Sequence, residues 1–129
     1  MYQIKKIKNK HLLKNDLGEV IKIVNLKKNL EKIKEIYLTS VNKNKIKGWN
    51  IHIKNTIKLF LIYGKVKMYF GRNKHKIKTE TISYKEKKII VIKPKTKFAF
   101  KGINKCNIFL SMSTGVYDKN EIIKIKFNR

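Results

Sequence analysis

Ile57-Lys58-Leu59-Phe60-Leu61-Ile62-Tyr63-Gly64 is the stretch that decides the fold class. Ile57, Leu59, Leu61 and Tyr63 share one parity, Lys58, Phe60 and Ile62 take the other, and Gly64 marks a turn. A run of β-branched and aromatic residues with period two, stopped by a turn residue, reads as a strand. Working outward, the apolar run Ile89-Ile90-Val91-Ile92 before Pro94 reads the same way, as do 19–25, 34–41, 65–70, 76–82, 97–101, 106–113 and 122–127. Expected turns fall at Asn15 to Gly18, Asn42 to Lys45, Tyr63 to Lys65, Gly71 to Lys74, Ser83 to Glu86 and Gly102 to Lys105. No segment carries a clean helical stripe; the nearest is 26–34, a short helix or an irregular loop. Short strands with turns every few residues, and no internal repeat or linker, predict one all-β sandwich or barrel domain over 1–129.

The 129 residues suffice for one core without disulfides. The single Cys106 forms no internal bridge and fits a reducing compartment. Lysines interrupt every apolar window, so neither a signal peptide nor a membrane helix is expected, and a cytoplasmic protein is.

Charge is the loudest feature: 33 Lys plus Arg against 8 Asp plus Glu, formally +25. Such a balance suggests nucleic-acid binding. Against it, only Arg72 and Arg129 are arginine, the fork-shaped donor suited to phosphates and base edges. The lysines also alternate with isoleucine instead of clustering. With 31 Lys, 21 Ile and 13 Asn but one Ala and one Pro, the skew reads as codon bias toward A and T. Nucleic acid is therefore not the expected partner, and a selected polyanion-binding surface is the alternative.

There is no phosphate-cradling glycine loop, nucleophile elbow or Cys-His zinc spacing. His11 and His75 sit among lysines and read as solvated. His52 differs, lying in Lys45-Ile46-Lys47-Gly48-Trp49-Asn50-Ile51-His52 beside the only tryptophan. If the strand alternates onward from Asn50, then Asn50, His52, Lys54 and Thr56 share a face. Either that polar row lines a pocket, or it faces solvent and Ile51, Ile53 and Ile57 form the core.

Landmarks along 15–127 occur in the order of a known family. Asp16-Leu17-Gly18-Glu19-Val20, Lys34-Glu35-Ile36-Tyr37 and Lys47-Gly48-Trp49-Asn50-Ile51-His52-Ile53-Lys54 are followed by Ile92-Lys93-Pro94-Lys95 through Phe100, and by Ser113-Thr114-Gly115-Val116-Tyr117-Asp118-Lys119-Asn120-Glu121. The series resembles the sugar-nucleotide 3,4-ketoisomerases acting on dTDP-4-keto-6-deoxyhexoses and, more distantly, the dTDP-4-dehydrorhamnose 3,5-epimerases. Both are jelly-roll cupins. The resemblance implies a cupin barrel, a nucleotide-sugar substrate, proton transfer beside a ketone, and a role in surface polysaccharide synthesis. It further implies a homodimer of the kind that exchanges an N-terminal strand; because +25 on each subunit opposes association, the interface is expected where lysines are sparse, around 106–116.

The departures bear on activity. The first histidine of the family's His-x-His pair is Asn50 here, which cannot take a proton near neutral pH. The phosphate-holding arginine is Lys47, the epimerases' lysine falls at Ile57, and their tyrosine falls near Ser111. What the resemblance leaves is His52 as base, Tyr37 as partner acid, Asn50 or Lys54 at the oxyanion, Trp49 and Phe98 as walls, and Tyr117 as a substrate contact in the closing segment. No metal or other cofactor is expected: Asn50 breaks the histidine pair, and neither a suitably spaced Glu nor a late histidine follows. Three readings stay open: an isomerase or epimerase, a binding module that has lost catalysis, and a polyanion binder.

Overall fold

The structure, a computed structural model, describes residues 1–23, 32–73 and 76–127. Among them no helix is long and apolar enough to cross a membrane. The strands are β1 (Tyr2–Lys6), β2 (Leu12–Asn15), β3 (Gly18–Ile21), β4 (Glu35–Ser40), β5 (Ile46–His52), β6 (Ile57–Tyr63), β7 (Lys65–Asn73), β8 (Lys76–Ser83), β9 (Lys88–Ile92), β10 (Lys97–Gly102), β11 (Ile108–Ser113) and β12 (Ile122–Lys124). Two five-stranded sheets, ordered β1-β9-β6-β11-β4 and β12-β5-β10-β7-β8, face each other as a jelly roll, with β2-β3 as a separate hairpin. Every pairing between named strands is antiparallel.

Inward positions carry the core at one end of the barrel. Leu61 of β6, Val66, Met68 and Phe70 of β7, Ile82 of β8, Ile90 and Ile92 of β9 and Phe109 of β11 form one buried cluster. Burying each such side chain contributes about 1.5–3 kcal/mol. The hairpin β6–β7 turns at Gly64 (φ 105°), where a Cβ would collide with the Cys106 carbonyl oxygen and the Asn107 side chain. Asn107, 1 % exposed, ties this closed end together. Its side chain accepts from the Lys65 N–H at 2.9 Å and donates to the Val41 and Asn104 carbonyls at 3.0 and 2.7 Å.

Several sequence expectations need correction. The strand expected at 65–70 runs on to Asn73, because β8 pairs through Gly71↔Ile77 and, after an irregularity, Asn73↔Lys76. Tyr2–Lys6 and Leu12–Asn15 are strands that the pattern did not reveal; β1 pairs with β9 of the same chain. Residues 24–31, which hold most of the 26–34 segment and the end of the 19–25 strand, lie outside the described residues, as do His75 and Arg129. Ser83 to Glu86 is a 3-10 turn with Ser83 and Glu86 forming a capping box.

Candidate active site

At the other end of the barrel the inward residues turn polar. On β4, Glu35, Tyr37 and Thr39 share the inward parity; on β11, Ser111 and Ser113 follow Phe109; on β5, Asn50 and His52 face Phe98. These residues, with Lys47, Asn55, Ile57, Leu59, Phe100, Tyr117, Glu121 and Lys124, line a cavity of about 570 Å³.

The β5 segment explains how Lys47, Asn50 and His52 reach one face although they are not evenly spaced. Asn50 pairs with Phe98 and Gly48 with Ala99, so Trp49 is an extra residue in the ladder. This bulge restores Lys47, opposite Phe100, to the inward side. A Cβ on Gly48 would sit 2.6 Å from the Ala99 Cβ, so only glycine fits the close approach of the two strands. The Trp49 ring packs instead with Tyr69, Ala99 and Phe127 in a second cluster. It lies 4.9 Å from the Phe127 ring and has the Lys97 ammonium 4.7 Å from its centroid. Trp49 borders the cavity but is 3 % exposed, and its ring packs into this cluster.

The expected row of Asn50, His52, Lys54 and Thr56 is broken. The strand ends at His52, the chain bends through 53–56, and Lys54 points to solvent outside the cavity lining. The contribution of Lys54 is its backbone: its N–H donates to Glu121 Oε1 at 3.1 Å. The reading in which this face meets solvent is also overturned, since His52 is buried and Asn50, His52 and Ile57 all line the cavity.

Glu121 is the group to which sequence reasoning gave no role. It is 3 % exposed and accepts from the N–H of Asn55 at 2.9 Å, besides that of Lys54. Its Oε2 lies 2.9 Å from His52 Nδ1. Burial alone would push this carboxyl up; the Asn55 N–H, the His52 side chain, the Lys54 N–H and the His52 charge together outweigh it and hold the carboxyl below the usual range. An ionised carboxylate only accepts, so Nδ1 of His52 carries a proton toward Glu121, and in the neutral imidazole it is Nε2 that has the lone pair. Phe98 stacks on the imidazole, centroids 5.9 Å apart and planes within 14°.

Across the cavity, Tyr37 is 37 % exposed, and burial followed by the charges of Glu35 and Glu121 raises its pKa above the ordinary value. Glu35 Oε2 accepts from the backbone N–H of Tyr117, whose side chain is mostly exposed at the cavity mouth. Lys47 and Lys124 are exposed at the rim. Two of the chain's eight carboxylates thus line one cavity in a protein of formal charge +25. Among the described residues, no three His, Cys, Asp or Glu side chains are grouped to hold a metal ion.

Known proteins can be compared with this geometry. The backbone superposes on a sugar 3,4-ketoisomerase from Thermoanaerobacterium thermosaccharolyticum in complex with TDP, with a TM-score of 0.80, 19% identity, and coverage of 95% of this chain and 86% of that one. The fold is that of the sugar-nucleotide isomerases. A variant of the same ketoisomerase in complex with TDP-4-keto-6-deoxyglucose matches at TM-score 0.80 and 20% identity over the same shares of both chains. A dTDP-6-deoxy-D-glucose-3,5-epimerase from Legionella pneumophila in complex with dTDP-4-keto-L-rhamnose matches at TM-score 0.82 and 11% identity, over 98% of this chain and 73% of that one. No family model matches the sequence, and neither does any curated protein.

Proposed function

We propose that the chain is an isomerase or epimerase of a nucleotide-linked 4-keto-6-deoxyhexose, acting by proton transfer beside the ketone. The observation that carries this reading is the His52–Glu121 pair inside the cavity, 2.9 Å between Nδ1 and Oε2. Nε2 of His52 takes the proton from the carbon next to the carbonyl, and that C–H electron pair becomes a C=C bond while the carbonyl oxygen gains the negative charge. The imidazolium formed is stabilised by the Glu121 carboxylate. Return of a proton to the former carbonyl carbon, with loss of the neighbouring hydroxyl proton, moves the ketone; return to the opposite face of the first carbon inverts it. Tyr37, kept protonated by its raised pKa, is the donor on the opposite sheet. Asn50 lends its amide to the developing oxyanion, and Phe98 fixes the imidazole.

Lys47 at the rim and Tyr117, which also lines the cavity, hold the nucleotide diphosphate. The neighbours in complex with TDP and TDP-linked keto-sugars support this class of ligand. A thermal-shift screen with dTDP, UDP, GDP and a mononucleotide tests it. A ligand at about 100 times its Kd stabilises by about 2.7 kcal/mol, so one nucleoside diphosphate is expected to raise Tm selectively. Equal, salt-sensitive shifts with every polyphosphate would mean that lysines alone respond. Asn50 in place of a second histidine favours a second reading, a module that binds the nucleotide-sugar without converting it; binding without turnover would establish that one.

The reading includes a homodimer that works in the cytoplasm in surface polysaccharide synthesis. Ile36 and Leu38, 63% and 67% exposed on the outer side of edge strand β4 and next to Leu110 of β11, support pairing through that sheet.

A further inference from the structure

Ser111 lies in the middle of β11, opposite Leu59 of β6 on one side and Tyr37 of β4 on the other. It is 1 % exposed, lines the cavity, and its Oγ is the one buried side-chain polar atom with no hydrogen-bond partner among the described residues. Its neighbours differ. Ser113 Oγ accepts from the Gly115 N–H at 3.2 Å, and Thr114 Oγ1 accepts from the Thr56 N–H at 3.0 Å. Asn107 uses both ends of its amide. A stranded hydroxyl destabilises a fold, and alanine would occupy the same place without that penalty.

Ile57, Leu59, Phe98 and Phe100 give the cavity an apolar wall, and the polar side chains beside Ser111 on its own sheet are few: Tyr37, Thr39 and Ser113. A pocket built this way orients its ligand through a few placed polar groups. We propose that the Ser111 hydroxyl is a substrate contact, hydrogen-bonding a neutral oxygen of the sugar at the inner end of the cavity. This rests on the nucleotide-sugar reading of the site and adds the ligand's direction. A hydroxyl both donates and accepts, so it suits a ring hydroxyl or a ketone. A phosphate buried against one hydroxyl and an apolar wall would lose far more hydration than it recovers. The cations that would compensate it, Lys47 and Lys124, sit at the exposed rim. The sugar therefore enters first, between His52 and Phe98 on one sheet and Tyr37 and Ser111 on the other, with the diphosphate outward.

Ser111→Ala tests this with readouts that move in opposite directions. The Tm of the free protein is expected to stay level or rise, because the unpaired hydroxyl is gone. The Kd for TDP should be unchanged, while that for TDP-4-keto-6-deoxyglucose weakens by about three- to tenfold, the scale of one neutral hydrogen bond. Ser111→Cys, nearly the same shape with a weaker donor, should fall between. A lowered Tm with unchanged affinity for the keto-sugar nucleotide would overturn the contact and make Ser111 structural, leaving the broader reading intact. Wild-type protein that binds TDP-4-keto-6-deoxyglucose no more tightly than TDP would overturn both.

Discussion

Replacing Glu121 separates its two roles, holding the bend after β5 and setting the protonation of His52. The carboxylate receives three hydrogen bonds, from His52 Nδ1, Asn55 N and Lys54 N. Glu121→Ala strands the imidazole and the buried Asn55 amide, whereas the Lys54 amide, on an exposed residue, recovers water. Leaving these two buried donors unpaired, at about 1–3 kcal/mol each, costs about 3–5 kcal/mol in all. At about 4 °C per kcal/mol for a domain of this size, Tm should fall by about 12–20 °C. Glu121→Gln keeps the shape and an acceptor oxygen for both amides, so the loss should be only about 1–2 kcal/mol, or about 4–8 °C. Its amide nitrogen, however, donates to Nδ1, which forces the His52 proton onto Nε2 and removes the lone pair that would accept the substrate proton. Turnover of TDP-4-keto-6-deoxyglucose by Glu121→Gln should fall by roughly 10²–10⁴-fold, with a fall in Tm well short of that of Glu121→Ala. Calorimetry and a coupled turnover assay on both variants decide the matter. Wild-type turnover in Glu121→Gln would refute the tautomer argument, and an unchanged Tm in Glu121→Ala would refute the hydrogen-bond cluster.

Other outcomes follow from the same geometry. The folded-state pKa of Glu121 is depressed, so its contribution to stability is present above the ordinary carboxylate value of about 4.3 and is lost as pH falls through the lowered folded one. Glu121→Gln should flatten the acid side of a stability–pH curve, leaving the slope from Glu86, which its hydrogen bond with Lys88 also holds low. Asn107→Ala, which orphans the Lys65 N–H and the Val41 carbonyl, should lower stability by about 2–4 kcal/mol in denaturant melts without altering affinity for TDP. Leu38→Lys, at a 67% exposed position, should turn a dimer into a monomer in light scattering; a monomeric wild type would rule out the pairing.

The barrel was legible wherever burial alternates along a strand. Ile57–Tyr63 and Lys88–Ile92 lie inside the first sheet, so their apolar parity survives the lysine-rich composition. Tyr2–Lys6 was not legible, because a short segment with two terminal lysines becomes a strand only through β9, about ninety residues away in sequence. Period two placed Asn50 and His52 on one face correctly, but it failed on either side of them. The bulge at Trp49 turns the ring outward, and the bend after His52 releases Lys54 to solvent. Glu121 was visible as part of the closing segment, yet its role depends on a contact spanning 69 residues that no local pattern encodes. Two signals were present. Ser111 and Ser113 break the apolar parity begun by Phe109, and Glu35 shares the parity of Tyr37; polar residues on an inward row mark where a core gives way to a cavity.

The central claim, that His52 removes a proton beside the ketone of a nucleotide-linked sugar, is tested most directly by solvent exchange. The protein is incubated in D₂O with TDP-4-keto-6-deoxyglucose, and deuterium at the carbons flanking the ketone is followed by NMR. Wild type should incorporate deuterium there, and His52→Gln, with TDP affinity retained, should do so at least about 10²-fold more slowly. No exchange with wild type, or undiminished exchange with His52→Gln, would contradict the account.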